Sequence, residues 1–171
     1  DLMDSGTETV EIHPMMIDDL GPVAELEQVV SPAPWSPGVF LDCLKADYEC
    51  WVLRSDDVLG YVIAALGPGD AHLLNIAVAP GQQGRGFGRQ LLRQIIRVAH
   101  ERDAERLLLE VRPSNLRAQA IYQKVGFQLL SRRPRYYGPP QKEDALVYAL
   151  EFCGPSLRYL YQPGDAPGKI S

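Results

Sequence analysis

No apolar run in the sequence approaches the roughly 20 residues needed to span a bilayer, and no signal-peptide pattern opens it. These absences lead to an expectation of cytoplasmic residence with no membrane partner. Cysteine is scarce: Cys43, Cys50 and Cys153 are odd in number and widely spaced, which suits neither a disulfide framework nor a zinc site. Each is expected to be a small hydrophobe in a reducing compartment. His13, His72 and His100 lack the spacing of a metal site or a triad, so no metal is expected. Positive charge is also short. The net charge of -5 leaves no global basic field for nucleic acid and mildly favours a cationic partner such as a basic peptide.

What is present suits one soluble domain. The 171 residues are 46% hydrophobic and 23% charged, enough to bury a single core. Residues 1–6 read as a frayed end or a remnant outside the fold. Residues 7–153 form the domain, and residues 154–171, carrying Pro and Gly throughout, a loosely attached extension. Alternation at Val10 and Ile12 marks a first strand over Thr7 to Pro14. Asp18 offers an N-cap to a helix with Val23, Leu26 and Val30 on one face. Ser31-Pro32-Ala33-Pro34 breaks that helix, and Ser36-Pro37 starts another with Phe40, Leu41 and Leu44 inward. Strands follow at Cys50 to Arg54, Leu59 to Leu66 and Ala71 to Val78. A helix over Gly88 to Arg102 carries the stripe Leu91, Leu92, Ile95, Ile96 and Ala99. A strand at Leu107 to Val111 precedes a helix over Asn115 to Lys124 closed by Gly126. Strands near Phe127 to Arg133 and Ala145 to Phe152 end the pattern. The order predicts one mixed α/β domain.

Between an apolar strand and a striped helix lies Gly81-Gln82-Gln83-Gly84-Arg85-Gly86-Phe87-Gly88. Glycine there lets several backbone N–H groups turn toward one point, and the next helix adds its unsatisfied N–H groups and positive dipole end. The run is thus either a phosphate cradle or a flexible connection. It is not a P-loop, because Gly88 is followed by Arg89 and Gln90 rather than Lys and Ser or Thr. Nor is it a dinucleotide fingerprint, whose third glycine is out of place.

Gln83-x-x-Gly86-x-Gly88 does resemble the pyrophosphate signature of the GNAT acetyltransferase superfamily. Downstream, Glu110-Val111-Arg112-Pro113-Ser114-Asn115 leads into Ala118, Ala120, Ile121-Tyr122 and Gly126-Phe127. That segment resembles the superfamily's second cofactor motif in order and separation. Pro34-Trp35-Ser36, Leu74-Asn75-Ile76-Ala77-Val78 and Tyr136-Tyr137 are similar to the bacterial ribosomal-protein-alanine N-acetyltransferase (RimI-type) subfamily. This similarity spans roughly Trp35 to Leu150. Gly81 and Gly84 depart from the subfamily pattern, and the tail beyond Cys153 is longer than that pattern leads one to expect.

The resemblance implies a GNAT fold: a central, mostly antiparallel twisted sheet of about seven strands, with about four helices on both faces. It implies acetyl-CoA as cofactor, with Gln83, Gly84, Arg85, Gly86, Phe87, Gly88 and Arg89 at the pyrophosphate. Ile76, Ala77 and Val78 would lie along the pantetheine arm, with a backbone N–H near Val78 polarising the thioester carbonyl. Otherwise they are a plain buried strand. Asn115 caps its helix by sequence logic, and the resemblance adds a bond to the pantetheine arm. Tyr122 is a core tyrosine or, as the family implies, the acid that protonates the departing thiolate. Glu110 is a salt-bridge partner or the family's proposed base. Trp35, Tyr136 and Tyr137 would flank the peptide entrance; otherwise Trp35 is a core anchor and the tyrosines a strand edge.

The function these residues imply is acetyl transfer to a protein N-terminal α-amine, with a ribosomal-protein N-terminal alanine as acceptor and a monomer or weak dimer as the working form. An α-amine has a pKa of about 7.7–8.0 against about 10.4 for lysine, so a modest base suffices for it near neutral pH. Two alternatives stand beside this one. The same cofactor site could serve a lysine or small-amine acetyltransferase, or a non-catalytic acyl-CoA-binding sensor. The basic run Arg132-Arg133-Arg135 is too local to suggest nucleic acid and suits a solvated edge or an acceptor-contacting loop.

Overall fold

The computed structural model describes residues 9–134 and 143–152. Seven strands form one sheet in the order β1-β2-β3-β4-β5-β7-β6. They are β1 (Glu11–Pro14), β2 (Glu49–Arg54), β3 (Val58–Ala65), β4 (Gly69–Val78), β5 (Ala104–Val111), β6 (Gln128–Arg133) and β7 (Ala145–Glu151). Every neighbouring pair is antiparallel except β4 and β5, which run parallel. The four helices are α1 (Leu20–Val30), α2 (Pro37–Lys45), α3 (Phe87–Glu101) and α4 (Leu116–Val125). The mixed sheet and four helices agree with the GNAT fold expected from sequence.

Strand alternation sends side chains to two faces, and each face has its own core. On one, α1 and α2 bring Val23, Phe40 and Cys43 against Cys50, Val52, Tyr61 and Ile63. On the other, α3 and α4 cover Leu107, Leu109, Val111, Leu146, Tyr148 and Leu150. The expected α3 stripe is there: Leu91, Leu92, Ile95, Ile96 and Ala99 are each at most 1% exposed. Burying each leucine or isoleucine contributes about 1.5–3 kcal/mol. Ser36 caps α2, its Oγ accepting the Val39 N–H at 3.4 Å. Gly126 ends α4 with φ +117°, the left-handed geometry that favours glycine.

One cap differs from expectation. A 3-10 turn at Ile17–Asp19 precedes α1, which moves the donor in need of a partner back to Met16. The N-cap of α1 is therefore Asp19 rather than Asp18, and its carboxylate closes the 3-10 turn instead of capping α1, accepting the Met16 N–H at 2.8 Å and pairing with Arg54 at 2.7 Å. A second departure matters more. The inward face of α1 carries Glu27, only 2% exposed, while the expected Leu26 and Val30 are half-buried.

The sheet opens between β4 and β5. They pair only from Gly69↔Ala104 to His72↔Leu108, although β4 continues to Val78. The parting coincides with a bulge: Ile63 faces Asn75 and Ala64 faces Leu73, so Leu74 is the extra residue. A bulge bends its strand and resets alternation. Leu73 and then Ile76 and Val78 contact the α3 side, while Asn75 and Ala77 turn to the α1 side.

Gly60 of β3 holds this bent half in place. A Cβ there would lie 2.7 Å from the Ala77 carbonyl oxygen and 3.0 Å from Leu91 Cδ1. Gly60→Ala should lower unfolding free energy by about 1–3 kcal/mol in urea titration; an unchanged midpoint would contradict this packing. Burial, aided by Cys43 and Glu49, pushes the Cys50 thiol up to about 12, and burial with Asp42 raises Cys43. Peptide mapping after iodoacetamide at pH 8 should find both cysteines unmodified in the folded protein and modified in guanidinium. Rapid labelling of either in the folded protein would contradict their inert placement.

Candidate active site

The opened edge of β4 is one wall of a cleft of about 480 Å³. Ile76, Ala77 and Val78 line it from β4, and Gln83, Gly84, Gly86, Phe87, Gly88 and Arg89 from the glycine-rich turn and the start of α3. Asn115, Arg117, Ala118, Ile121, Tyr122 and Lys124 line it from α4, and Val30 from the end of α1.

The turn is shaped by its glycines. Gly84 (φ +85°) and Gly86 (φ +82°) sit in the left-handed region, where a side chain would be strained. Gly86 is the N-cap of α3 and supplies no side-chain cap. The first N–H groups of this 15-residue helix are therefore free of a side-chain acceptor where they meet the cleft. With the helix dipole they favour an anion. Arg89, Arg117 and Lys124 add positive charge along the lining. Arg117 also spans the cleft, donating to Gln83 Oε1 at 2.7 Å, while Gln83 Nε2 reaches the Val78 carbonyl at 3.4 Å.

The backbone of β4 offers a donor at the other end. The Ala79 N–H bonds the Leu59 carbonyl of β3 at 2.8 Å. N–H direction alternates along a strand, so the Val78 N–H points to the open edge. An anion-binding turn, an apolar strand edge and an inward N–H together suit a phosphate-bearing ligand with a long arm and a carbonyl at its tip.

Of the cofactor residues named from sequence, Arg85 alone is not among those lining the cleft. It folds onto its own loop, 4.6 Å above the Phe87 ring and 2.5 Å from Gln82 Oε1. Asn115 caps α4 as expected, its Oδ1 accepting the Ala118 N–H at 3.2 Å. Tyr122 is 6% exposed, with its ring near those of Phe127 and Tyr148.

Glu110 does not line the cleft. It lies on β5 beyond the last β4 pairing, between Leu109 and Val111, which face α3 and α4; alternation puts it on the other face. Its carboxylate pairs with Arg133 of β6 at 3.0 Å. Trp35 is half-buried and packs against the α1–α2 core, its ring 5.3 Å from that of Phe40. Tyr136 and Tyr137 lie outside the described residues, as do Cys153, Arg135 and the segments 1–6 and 154–171. Arg132 of the basic run pairs with Asp144.

Arg117 and Lys124 were not singled out from sequence. Their signal was available: 117, 121 and 124 share one helical face with the cleft-lining Ile121.

Residues 17–127 match the Acetyltransferase (GNAT) family. The chain belongs to that family and is an acetyltransferase that takes its acetyl group from acetyl-CoA. It is 33% identical over 142 residues to the [ribosomal protein bS18]-alanine N-acetyltransferase of Haemophilus ducreyi, covering 81% of this chain and 98% of that one. The Salmonella typhimurium protein of the same name is 37% identical over 134 residues, covering 77% and 90%. The crystal structure of the Escherichia coli ribosomal-protein-S18-alanine N-acetyltransferase superposes with a TM-score of 0.79 at 32% identity, covering 87% and 99%.

Because no neighbour lies within 4 Å of a Cβ at Gly86, Gly86→Ala isolates the backbone requirement. It should cost about 1–2 kcal/mol of stability and weaken acetyl-CoA binding by calorimetry. Unchanged stability and affinity would show that the left-handed turn is dispensable.

Proposed function

We propose that this enzyme acetylates the α-amine of a protein N-terminus, an N-terminal alanine of a ribosomal protein being the acceptor. The relatives at 33% and 37% identity carry that activity in their names, which supports the choice of acceptor. The observation that carries the reading is the parted β4–β5 edge. Tyr122 lines the cleft from the α4 side, and Glu110 lies on the opposite face of the sheet, beyond the last paired residues. An acceptor entering from the α1–α2 face would then meet a donor held on the α3–α4 side.

Acetyl-CoA supplies an activated thioester. The α3 N-terminus with Gly84, Gly86 and Gly88 binds its pyrophosphate, Arg89, Arg117 and Lys124 offset its charge, and β4 guides its arm. The Val78 N–H stabilises the negative charge that develops on the thioester oxygen. Glu110, held by Arg133, receives the proton of the attacking amine, directly or through water, and Tyr122 donates one to the leaving sulfur. Trp35 stands at the acceptor entrance.

An assay comparing an Ala-initiated basic peptide, its N-blocked form and a panel of free amines tests the acceptor. Acetylation of the unblocked N-terminus is expected, and modification of only the blocked peptide's lysines would overturn the reading. Since the amine attacks as the neutral base, kcat/KM should rise about tenfold per pH unit below about 7.7 and level off above about 8. Tyr122→Phe and Glu110→Gln should each lower kcat by roughly 10²–10⁴ with acetyl-CoA affinity kept. Wild-type rates in both variants would remove them from the chemistry.

A further inference from the structure

The cleft makes no use of a buried carboxylate on the α1 face. Glu27 is 2% exposed, yet its two oxygens collect three donors. Oε1 accepts from Tyr61 Oη at 2.7 Å, and Oε2 accepts from Asn75 Nδ2 at 2.8 Å and from the Trp35 backbone N–H at 3.1 Å. Burial first, then the bond to Glu27, pushes the Tyr61 hydroxyl well above its ordinary value, so it remains a donor.

These donors come from β3, from the bent half of β4 and from the connection between α1 and α2. Asn75 reaches Glu27 only because the Leu74 bulge turns it to the α1 face. The residues that follow it, Ile76 to Val78, are the β4 wall of the cleft, and Val30, one helical turn beyond Glu27, lines the cleft as well. A buried charge is a poor means of gaining stability, since well-packed apolar residues of similar volume often serve as well or better. What it provides here is a fixed distance between the Trp35 connection and the reacting end of β4.

We propose that Glu27 is a positioning residue for the acceptor: by tying Trp35 to Asn75 and Tyr61, it sets where the incoming amine meets the cleft. Glu27 itself touches no reacting atom. This rests on the acceptor entering past Trp35, as in the function proposed above, but not on which amine it carries.

The test uses the full chain and whichever amine of the peptide and free-amine panel the wild type acetylates best. A peptide N-terminus outside that choice would overturn the acceptor assignment while leaving Glu27 to be judged on the amine that is used. Glu27→Leu keeps the bulk and removes the acceptors. It should raise acceptor KM roughly tenfold to a hundredfold, the scale of losing charge-assisted hydrogen bonds, with acetyl-CoA Kd unchanged. Glu27→Gln should recover most of the loss. Its oxygen can serve Asn75 and Trp35, and its amide can donate to Tyr61 Oη.

Amide exchange provides a readout free of any acceptor. The segment 31–36 should exchange faster in Glu27→Leu while α3 is unaffected. Should Glu27→Leu fail to fold, Asn75→Ala and Tyr61→Phe each remove one arm and should shift acceptor KM in the same direction by less. A fall in thermal stability with acceptor KM and exchange at 31–36 unchanged would overturn the proposal. So would a parallel loss of acceptor and acetyl-CoA affinity.

Discussion

The structure turns on one extra residue in β4. Leu74 sits where pairing with β5 stops, and the bulge it makes bends the rest of β4 away from its parallel neighbour. A parallel pair that closed along its whole length would satisfy its backbone groups internally. Here the Val78 N–H is left facing a cleft instead. The same bulge exchanges the faces of the residues beyond it, bringing Ile76 and Val78 to the α3 side and Asn75 to the α1 side. Backbone geometry thus creates the slot and assigns its two sides at once.

The two faces carry different residues accordingly. The α3–α4 face carries the glycine turn, the bare helix start, Asn115 and Tyr122, all suited to a phosphate-bearing donor. The α1–α2 face carries Trp35, Glu27 and, by alternation, Glu110. Elsewhere the sheet is held shut. At the paired end of β4, Arg106 makes two bonds to Asp70, at 2.8 and 3.1 Å, and this guanidinium lowers the Asp70 carboxyl below its ordinary range. That pair is exposed and its contribution small, but it lies where β4 and β5 still run together.

Legibility in the sequence followed the range of each interaction. The Gly84–Gly88 turn, the Asn115 cap, the Ser36-Pro37 helix start and the α3 stripe are local, and each was readable from residue type and spacing. The Asp18 cap failed because an intervening 3-10 turn, which no local signal marked, moved the orphan donor. Glu27 was invisible because an acidic residue on a helix reads as solvated. Only the fold brings it to Tyr61 and Asn75, 34 and 48 residues away. The bulge left no glycine or proline as a sign. Arg85 and Arg117 show the reverse error, since a cation inside the motif turned onto its own loop while one outside it lined the cleft.

Everything proposed for the cleft depends on the parted edge of β4 being the acetyl-CoA slot. Titrating the isotope-labelled protein with acetyl-CoA and following backbone amides by heteronuclear NMR tests this most directly. The largest shifts should fall at Val78, Gly84, Gly86, Gly88 and Ala118, with β1 and β6 unmoved. Shifts clustered on another face, with those glycine amides and Val78 unchanged, would contradict it.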